Sequence, residues 1–304
     1  MTRCSSSLSP FLTLASAMTI CAMAASAAPS AQFGSGASPP ASELTFIVTA
    51  DTHLGAKGME AANRRIVDQM NRLPGKPWPS PLGGRVASPR GVLIAGDLTD
   101  NGTATEWRLF ASLYGLTGRD GLLRFPVFEG TGNHDRRLRG LPIVPAMVAR
   151  RHGSLLYAFT WEGVRFLNLD LYPSRHAITF MQKDLRKLPD TTPLVIYFHY
   201  NLVGPYSNWW SDREKKAFAT ALTGRNLLAM FHGHYHADGH YRWEGHQVYN
   251  VGSPRHSINT FCAVRVTETT MDVGAWDWDK GRFSWWHRTK RAPVTSRPAG
   301  APGP

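Results

Sequence analysis

Cysteine is nearly absent from this chain, three residues in 304. Two of them, Cys4 and Cys21, fall in a stretch that reads as a removable leader. That leaves Cys262 alone, which excludes an intramolecular disulfide framework. Cys262 sits in the strand-like run Thr260-Phe-Cys-Ala-Val-Arg-Val-Thr267 and reads as a small buried hydrophobe. Charge is missing from the N-terminus, where Arg3 alone precedes Glu43. Acidic residues are also scarce, 22 against 34 Lys and Arg, for a formal charge of +12. Such a surface favours anionic partners: phosphorylated metabolites, nucleic acid or anionic lipid. No aromatic–basic repeat or recognised binding module accompanies the charge, so nucleic acid is not the expected partner. Internal repeats with a period of roughly 20–50 residues are missing too, which argues against solenoids and propellers.

The N-terminal lack of charge has a simple reading. An apolar stretch from Pro10 to Ala25, followed by the small-x-small triplet Ala25-Ser26-Ala27, marks residues 1–27 as a secretory signal peptide. The run is Ala/Ser/Thr-rich and short for a stable membrane span. Export to the periplasm or the extracellular space follows. Residues 28–42 are rich in Ala, Ser, Gly and Pro and read as a flexible linker. Residues 291–304 have the same character after the basic run His287-Arg-Thr-Lys-Arg291 and are expected to be a disordered tail. Residues 43–290 remain as the folded domain. A content of 42% hydrophobic and 18% charged residues suits a chain with a real core.

Within it, short β-rich runs are bounded by Gly and Pro: Leu44 to Ala50, Gly91 to Ala95, Pro126 to Gly130, Pro193 to Phe198 and Leu227 to Phe231. Runs of this type fit strands buried on both faces. Helical spacing fills the gaps between them. Met59, Ala62, Ile66, Val67 and Met70 recur at three- and four-residue steps, as do Trp107, Phe110, Leu113 and Tyr114. Ile178, Met181, Leu185 and Leu188 repeat the pattern, and a further helix is expected from Trp210 to Leu222 with Ser211 or Asp212 near its cap. The alternation predicts βαβ units and a largely parallel sheet, with ligands gathered beyond the carboxyl ends of its strands. After His236 the pattern turns to short strands, at His246 to Val251, Thr260 to Thr267, Met271 to Trp276 and Arg282 to Trp286. These predict a second, mostly antiparallel sheet packed by Trp276, Trp278, Trp285 and Trp286.

Five polar clusters sit where the first five strand-like runs stop. They are Asp51-Thr-His53, Gly96-Asp97-Leu-Thr-Asp100, Gly132-Asn133-His134-Asp135, His199, and Gly233-His234-Tyr-His236. Carboxylate oxygen and imidazole nitrogen are donors for hard and borderline divalent metals. Asp51 and His53 can grip one ion, Asp97 can bridge two, and Asn133 adds a neutral oxygen. His199, His234 and His236 complete the set. Two ions about 3.5–4 Å apart can hold a hydroxide for in-line attack on a phosphate ester. His134 is then the candidate proton donor to the leaving alcohol, oriented by Asp100. Arg136 and Arg137, in the same loop, are candidates to grip a substrate oxyanion. His232, His240, His246 and His256 flank the clusters without an assigned role.

The ordered motifs D-x-H, G-D-x-x-D, G-N-H-D, H and G-H-x-H, followed by Asn250-Val-Gly-Ser253, resemble those of the calcineurin-like metallophosphoesterase superfamily. That resemblance implies an α/β fold, a four-layer αββα sandwich of two mixed β-sheets, with a dinuclear metal site at the strand C-terminal ends. It implies one ion at Asp51, His53, Asp97 and His236, and another at Asp97, Asn133, His199 and His234. It also agrees with His134 as proton donor paired with Asp100. Purple acid phosphatases carry Tyr at the position of Asp100, so a colourless protein is expected here, with manganese, iron or zinc.

The expected function is that of an exported phosphomonoesterase acting on small anionic phosphate esters. The alternative is a phosphodiesterase on cyclic nucleotides, glycerophosphodiesters or lipid headgroups. A binding scaffold without catalysis should have lost some of these donors, and none is missing. Substrate choice falls to the loops from Arg136 to Val148 and from Asn201 to Asp212. In the second, Trp209 and Trp210 are suited to meeting a base, a sugar or a membrane surface, and equally to anchoring the loop in the core.

Overall fold

The computed structural model describes residues 43–138 and 140–291. The expected leader, the linker and the tail from residue 292 onward lie outside them, as do Cys4 and Cys21.

The chain runs through β1 (Leu44–Thr49), α1 (Met59–Asn71), β2 (Val92–Ile94), α2 (Ala104–Tyr114), β3 (Val127–Glu129) and α3 (Ile143–His152). A hairpin of β4 (Tyr157–Trp161) and β5 (Val164–Asn168) follows, then α4 (Arg175–Leu185), β6 (Leu194–Tyr197), α5 (Asp212–Ala221) and β7 (Leu227–His232). The last strands are β8 (Asp238–Trp243), β9 (His246–Val251), β10 (Thr260–Val266), β11 (Thr270–Asp277) and β12 (Arg282–Lys290). They form two six-stranded mixed sheets, ordered β12-β11-β10-β1-β2-β3 and β4-β5-β6-β7-β9-β8.

Strand alternation builds the layers. Phe46, Val48 and Leu93 of the first sheet meet Phe166, Val195, Tyr197, Phe231 and Tyr249 of the second. Phe46 and Phe166 pack edge to face at 5.1 Å. On the opposite face Ile47, Val92 and Ile94 pack against Ile66, Val67 and Met70 of α1 and Trp107 and Phe110 of α2. The second sheet covers its outer face likewise, with Ile178, Met181 and Leu185 of α4 and Phe218 of α5 over Ile196 and Met230. The order is therefore helix, sheet, sheet, helix. Cys262 lies in the layer between the sheets, fully buried. No helix among the described residues is long and apolar enough to cross a membrane.

Two expectations are corrected. The strands after His236 do not make a sheet of their own. β8 and β9 join the second sheet, while β10, buried at every position, takes an interior place antiparallel to β1 and brings β11 and β12 with it. The donor-bearing strands also do not share one sheet: β1, β2 and β3 lie in the first, β6 and β7 in the second. Among the tryptophans, Trp276 and Trp278 are buried, Trp285 is partly so, and Trp286 on the edge strand is exposed. The loop expected from Arg136 to Val148 contains the start of α3, whose Val144 and Val148 reach the core.

Candidate metal centre

Five of the donors sit on left-handed backbone. Asp51, His53 and Asp97 have φ of 55°, 42° and 50°, and His234 and His236 of the second sheet have 69° and 50°. Non-glycine residues rarely adopt this region, and a group of five marks strain held by its surroundings. The holding contacts are visible. Asn63 of α1 donates to the Thr52 carbonyl at 2.8 Å and accepts from Tyr114 of α2 at 2.6 Å, which ties both helices to the Asp51–His53 turn. Thr52 Oγ1 donates to the Leu98 carbonyl at 2.7 Å, joining that turn to the next.

The glycines of the motifs are there for close approach. A Cβ on Gly233 would stand 2.5 Å from Asp51 Oδ2, and one on Gly96 would stand 2.7 Å from His199 Nδ1. Asp135 fastens the β2 and β3 loops together. Its carboxylate accepts from the backbone N–H groups of Leu98 (3.1 Å), Thr99 (2.9 Å) and Gly132 (2.8 Å), and from Thr99 Oγ1 (2.7 Å). Asp135 belongs to the Gly132-Asn133-His134-Asp135 cluster, but its residue type alone does not reveal this fastening role.

The donors fall into two groups that share Asp97. One contains Asp51, His53, Asp97 and His236, and the other Asp97, His199 and His234, each within 4.8 Å. Asp97 Oδ1 is taken by the backbone N–H of His134 at 2.8 Å. Oδ2 faces both groups, 3.6 Å from His53 Nε2 and 3.3 Å from His199 Nε2. Asn133 Oδ1 lies 3.1 Å from that same His199 nitrogen. His199 Nδ1 is 2.8 Å from the Ala95 carbonyl, and a proton donated there leaves Nε2, in the neutral ring, as the nitrogen that faces two oxygens. His53 Nε2 and His236 Nε2 stand 2.9 Å apart, and His234 Nε2 is buried with no hydrogen-bond partner. Acceptors converging with too few protons call for cations between them.

The electrostatics agree. Burial pushes His53 down to about 4 and His234 down to about 3, so both imidazoles are neutral near pH 7, as metal donors must be. Burial also opposes charge on His199, yet Asp97 and Asp51 outweigh it and raise that group to about 9. Near pH 7 the ring therefore holds on Nε2 a proton that a bound cation would displace. Burial likewise opposes ionisation of Asp97, and His199 and His53 overcome it, holding the carboxyl well below its usual range. The residues present fit two divalent ions, with Asp97 common to both donor groups.

Above them lies a cavity of about 480 Å³, lined by the expected Asp97, Asn133, His134, Arg137, His234 and His236. His134 Nδ1 is 2.9 Å from the Asp100 carbonyl and 3.2 Å from Asp100 Oδ1, and its Nε2 receives Arg137 Nη2 at 2.8 Å. Arg136 goes elsewhere: its guanidinium pairs with Asp170 and donates to Thr131 Oγ1 at 2.9 Å.

Arg255 is an addition to the expected residues. Its Nη1 stands 3.0 Å from Asp100 Oδ1 and 3.0 Å from His53 Nδ1, and it lines the cavity with His256. The signal available for it was its position just after the Asn250-Val-Gly-Ser253 run. Ser253 Oγ accepts from the Arg255 backbone N–H at 2.9 Å and donates to the Asp51 carbonyl at 3.2 Å. The two tryptophans of the segment 201–212 divide. Trp210 is buried with Nε1 donating to the Asn201 carbonyl at 3.0 Å, and Trp209 is 47% exposed beside His234. Of the other flanking histidines, His232 is buried against the Tyr241 hydroxyl at 2.7 Å and His240 meets Gln247 at 2.6 Å.

Comparison with known proteins places these features. A 3′,5′-cyclic adenosine monophosphate phosphodiesterase, CpdA of Haemophilus influenzae, is 26% identical over 170 residues, 52% of this chain and 58% of that protein's length. An Arcobacter nitrofigilis protein named "Probable glycerophosphodiester phosphodiesterase GpdQ" is 26% identical over 241 residues, 71% of this chain and 80% of that one. Among solved structures, a dimetal phosphatase from Danio rerio shares the fold with a TM-score of 0.60 at 14% identity, covering 82% of this chain and 99% of that one. GAP50, the anchor in the inner membrane complex of Plasmodium, has a TM-score of 0.59 at 11% identity, covering 83% and 90%. Residues 44–238 match the family of calcineurin-like phosphoesterases. With that match, the ordered donor motifs and the four-layer fold, the chain belongs to the calcineurin-like phosphoesterase family and is a metal-dependent phosphoric ester hydrolase.

Proposed function

We propose that this protein is an exported phosphodiesterase for small phosphodiesters. Two ions would be held by Asp51, His53, Asp97 and His236 on one side and by Asp97, Asn133, His199 and His234 on the other. The mixed oxygen and imidazole set suits manganese, iron or zinc. The observation that carries the diester reading is the lining of the cavity over Asp97, where Arg137 and Arg255 stand beside His134 and Asp100 while Tyr206 and Trp209 stand beside His234. A phosphorus held among these groups has room for two substituents, one of which a monoester would lack. The names of the two curated relatives support the same choice over the monoesterase expected from sequence. Export rests on the pattern of residues 1–27 and is tested by cell fractionation of the full chain.

When bound, the ions supply a hydroxide nucleophile at neutral pH and neutralise charge on the phosphoryl oxygens. The protein's own groups do the rest. Arg137 and Arg255 hold the non-bridging oxygens of the substrate, and in moving to them Arg137 leaves His134 Nε2 free. His134 Nε2, once free, takes up the proton released as water becomes hydroxide and gives it to the departing alkoxide oxygen as the phosphorus–oxygen bond breaks. Asp100 keeps the Nδ1–H side of the ring fixed. One water is consumed, and an alcohol and a phosphomonoester leave.

The test is hydrolysis of bis-p-nitrophenyl phosphate against p-nitrophenyl phosphate after loading with manganese, iron or zinc, beside Asp97→Asn. Preferred cleavage of the diester, at least a hundredfold above the variant, is expected. A strict preference for the monoester restores the monoesterase reading, and equal rates in protein and variant defeat both.

A further inference from the structure

The segment from Asn201 to Asp212 presents two large rings where core packing does not require them. Tyr206 is 54% exposed and Trp209 47% exposed, and both line the cavity above the metal donors. Trp209 packs on His234 with centroids 4.4 Å apart, and Tyr206 stands 6.1 Å from Trp209 and 5.7 Å from His234. The segment is held firmly behind them. Asn201 Nδ2 donates to the carbonyls of Val203 and Pro205, each at 2.7 Å, Trp210 is locked in the core, and Ser211 caps α5. Tyr206 has φ of 65°, a strained setting for an aromatic residue. An exposed ring on strained backbone beside a reaction centre points to a use outside folding.

We propose that Tyr206 and Trp209 form a stacking platform that selects diesters bearing a planar heteroaromatic ring, the nucleobase of a nucleotide diester. This rests on the diesterase reading above. The lining decides between ring chemistries. Aromatic walls also take quaternary ammonium groups, but here Arg137, Arg255 and His256 border the same cavity, and its one lining carboxylate is Asp97, on the floor. A cationic headgroup would face those guanidinium groups. A neutral flat ring attached to an anionic phosphorus meets each set of groups with matching character, and each stacked base contributes about 5–150-fold in binding.

The experiment compares kcat/KM for 3′,5′-cyclic AMP and for glycerophosphoethanolamine in the metal-loaded protein, Trp209→Ala, Trp209→Phe and Tyr206→Gly. Trp209→Ala and Tyr206→Gly should each lower the ratio of the nucleotide to the glycerol substrate at least tenfold, with Trp209→Phe recovering part of it. Glycine accepts the left-handed backbone, so Tyr206→Gly should keep the melting temperature and separate recognition from folding. A ratio unchanged within twofold in both variants, or proportional losses on both substrates, overturns the platform. Affinity for adenosine 5′-monophosphate against glycerol 3-phosphate, by calorimetry, gives a second reading. If the protein cleaves neither diester, the diesterase reading falls and this binding decides the platform. A tenfold loss for adenosine 5′-monophosphate alone in Trp209→Ala upholds it, and equal affinities overturn it.

Discussion

Asp100 Oδ1 stands 3.2 Å from His134 Nδ1, and the same oxygen stands 3.3 Å from His53 Nδ1. One carboxylate thus orients both the candidate proton donor and a candidate metal donor. Losing an orienting partner of this kind costs about 10–100-fold in activity or metal affinity. Asp100→Ala should therefore lower kcat on bis-p-nitrophenyl phosphate by that much, and Asp100→Asn, which keeps an acceptor oxygen, by less. Steady-state kinetics with equal kcat in all three proteins would remove Asp100 from the mechanism.

Asp135 carries a different load. Its removal would leave the backbone N–H groups of Leu98, Thr99 and Gly132 without partners in the interior. Each unpaired donor costs about 1–3 kcal/mol, so Asp135→Ala should destabilise the fold by more than about 3 kcal/mol. Urea unfolding measures this directly, and a loss under about 1 kcal/mol would show that the loops are held by other contacts.

Ions at this site would join the two sheets, since Asp51, Asp97 and Asn133 follow strands of one and His199 and His234 follow strands of the other. A ligand that binds only the folded state raises stability by mass action. Zinc or manganese should raise the melting temperature of chelator-treated protein, and the rise should shrink in Asp97→Asn. Identical shifts in both proteins would place the stabilising ion elsewhere.

Asp272 sits fully buried between Arg265 and Arg288, with oxygens 2.6 Å from Arg265 Nη2 and 2.5 Å from Arg288 Nε. Burial opposes its charge, but the two guanidinium groups prevail and hold the carboxyl below its usual value. A lowered carboxyl contributes stability that is complete above the unfolded-state pKa, about 3.9, and is lost as pH falls through the folded-state value. The stability gap between the protein and Asp272→Asn should be constant above about pH 5 and shrink below about pH 4. A gap independent of pH down to 3 would contradict the pairing.

The exposed start of α5 offers a smaller effect. Ser211 accepts from the Glu214 N–H, and Glu214 reaches back to the Ser211 N–H at 2.9 Å. Ser211→Ala should cost about 1 kcal/mol, read from the denaturation midpoint.

The parts of the molecule governed by near neighbours were legible in the sequence. Each expected donor strand ends beside its polar cluster, and the motif glycines announce close approach at Asp51 and His199. Cap chemistry marked the start of α5 at Ser211. What escaped depends on partners far along the chain. Alternation identifies β10 as a strand, yet whether it joins β1 or β9 is settled by which open edge needs an apolar neighbour. The β4–β5 hairpin was missed although Glu162 and Gly163 mark its turn, because its polar positions break the apolar runs. Arg136 and Arg137 are chemically alike and adjacent in sequence. Only the fold, by placing Asp170 beside one and His134 beside the other, tells them apart. Arg255 lay outside every donor motif and was drawn in by the turn that Ser253 makes.

The segment 201–212 meets the metal donors through the rings of Tyr206 and Trp209 against His234, while its own anchors, Asn201, Trp210 and Ser211, bond within the segment and to the start of α5. Recognition thus rests on a segment with anchors of its own, touching the reaction centre through its rings. A graft of this one segment from a relative should redirect the protein to another ester while leaving its hydrolytic engine in tune.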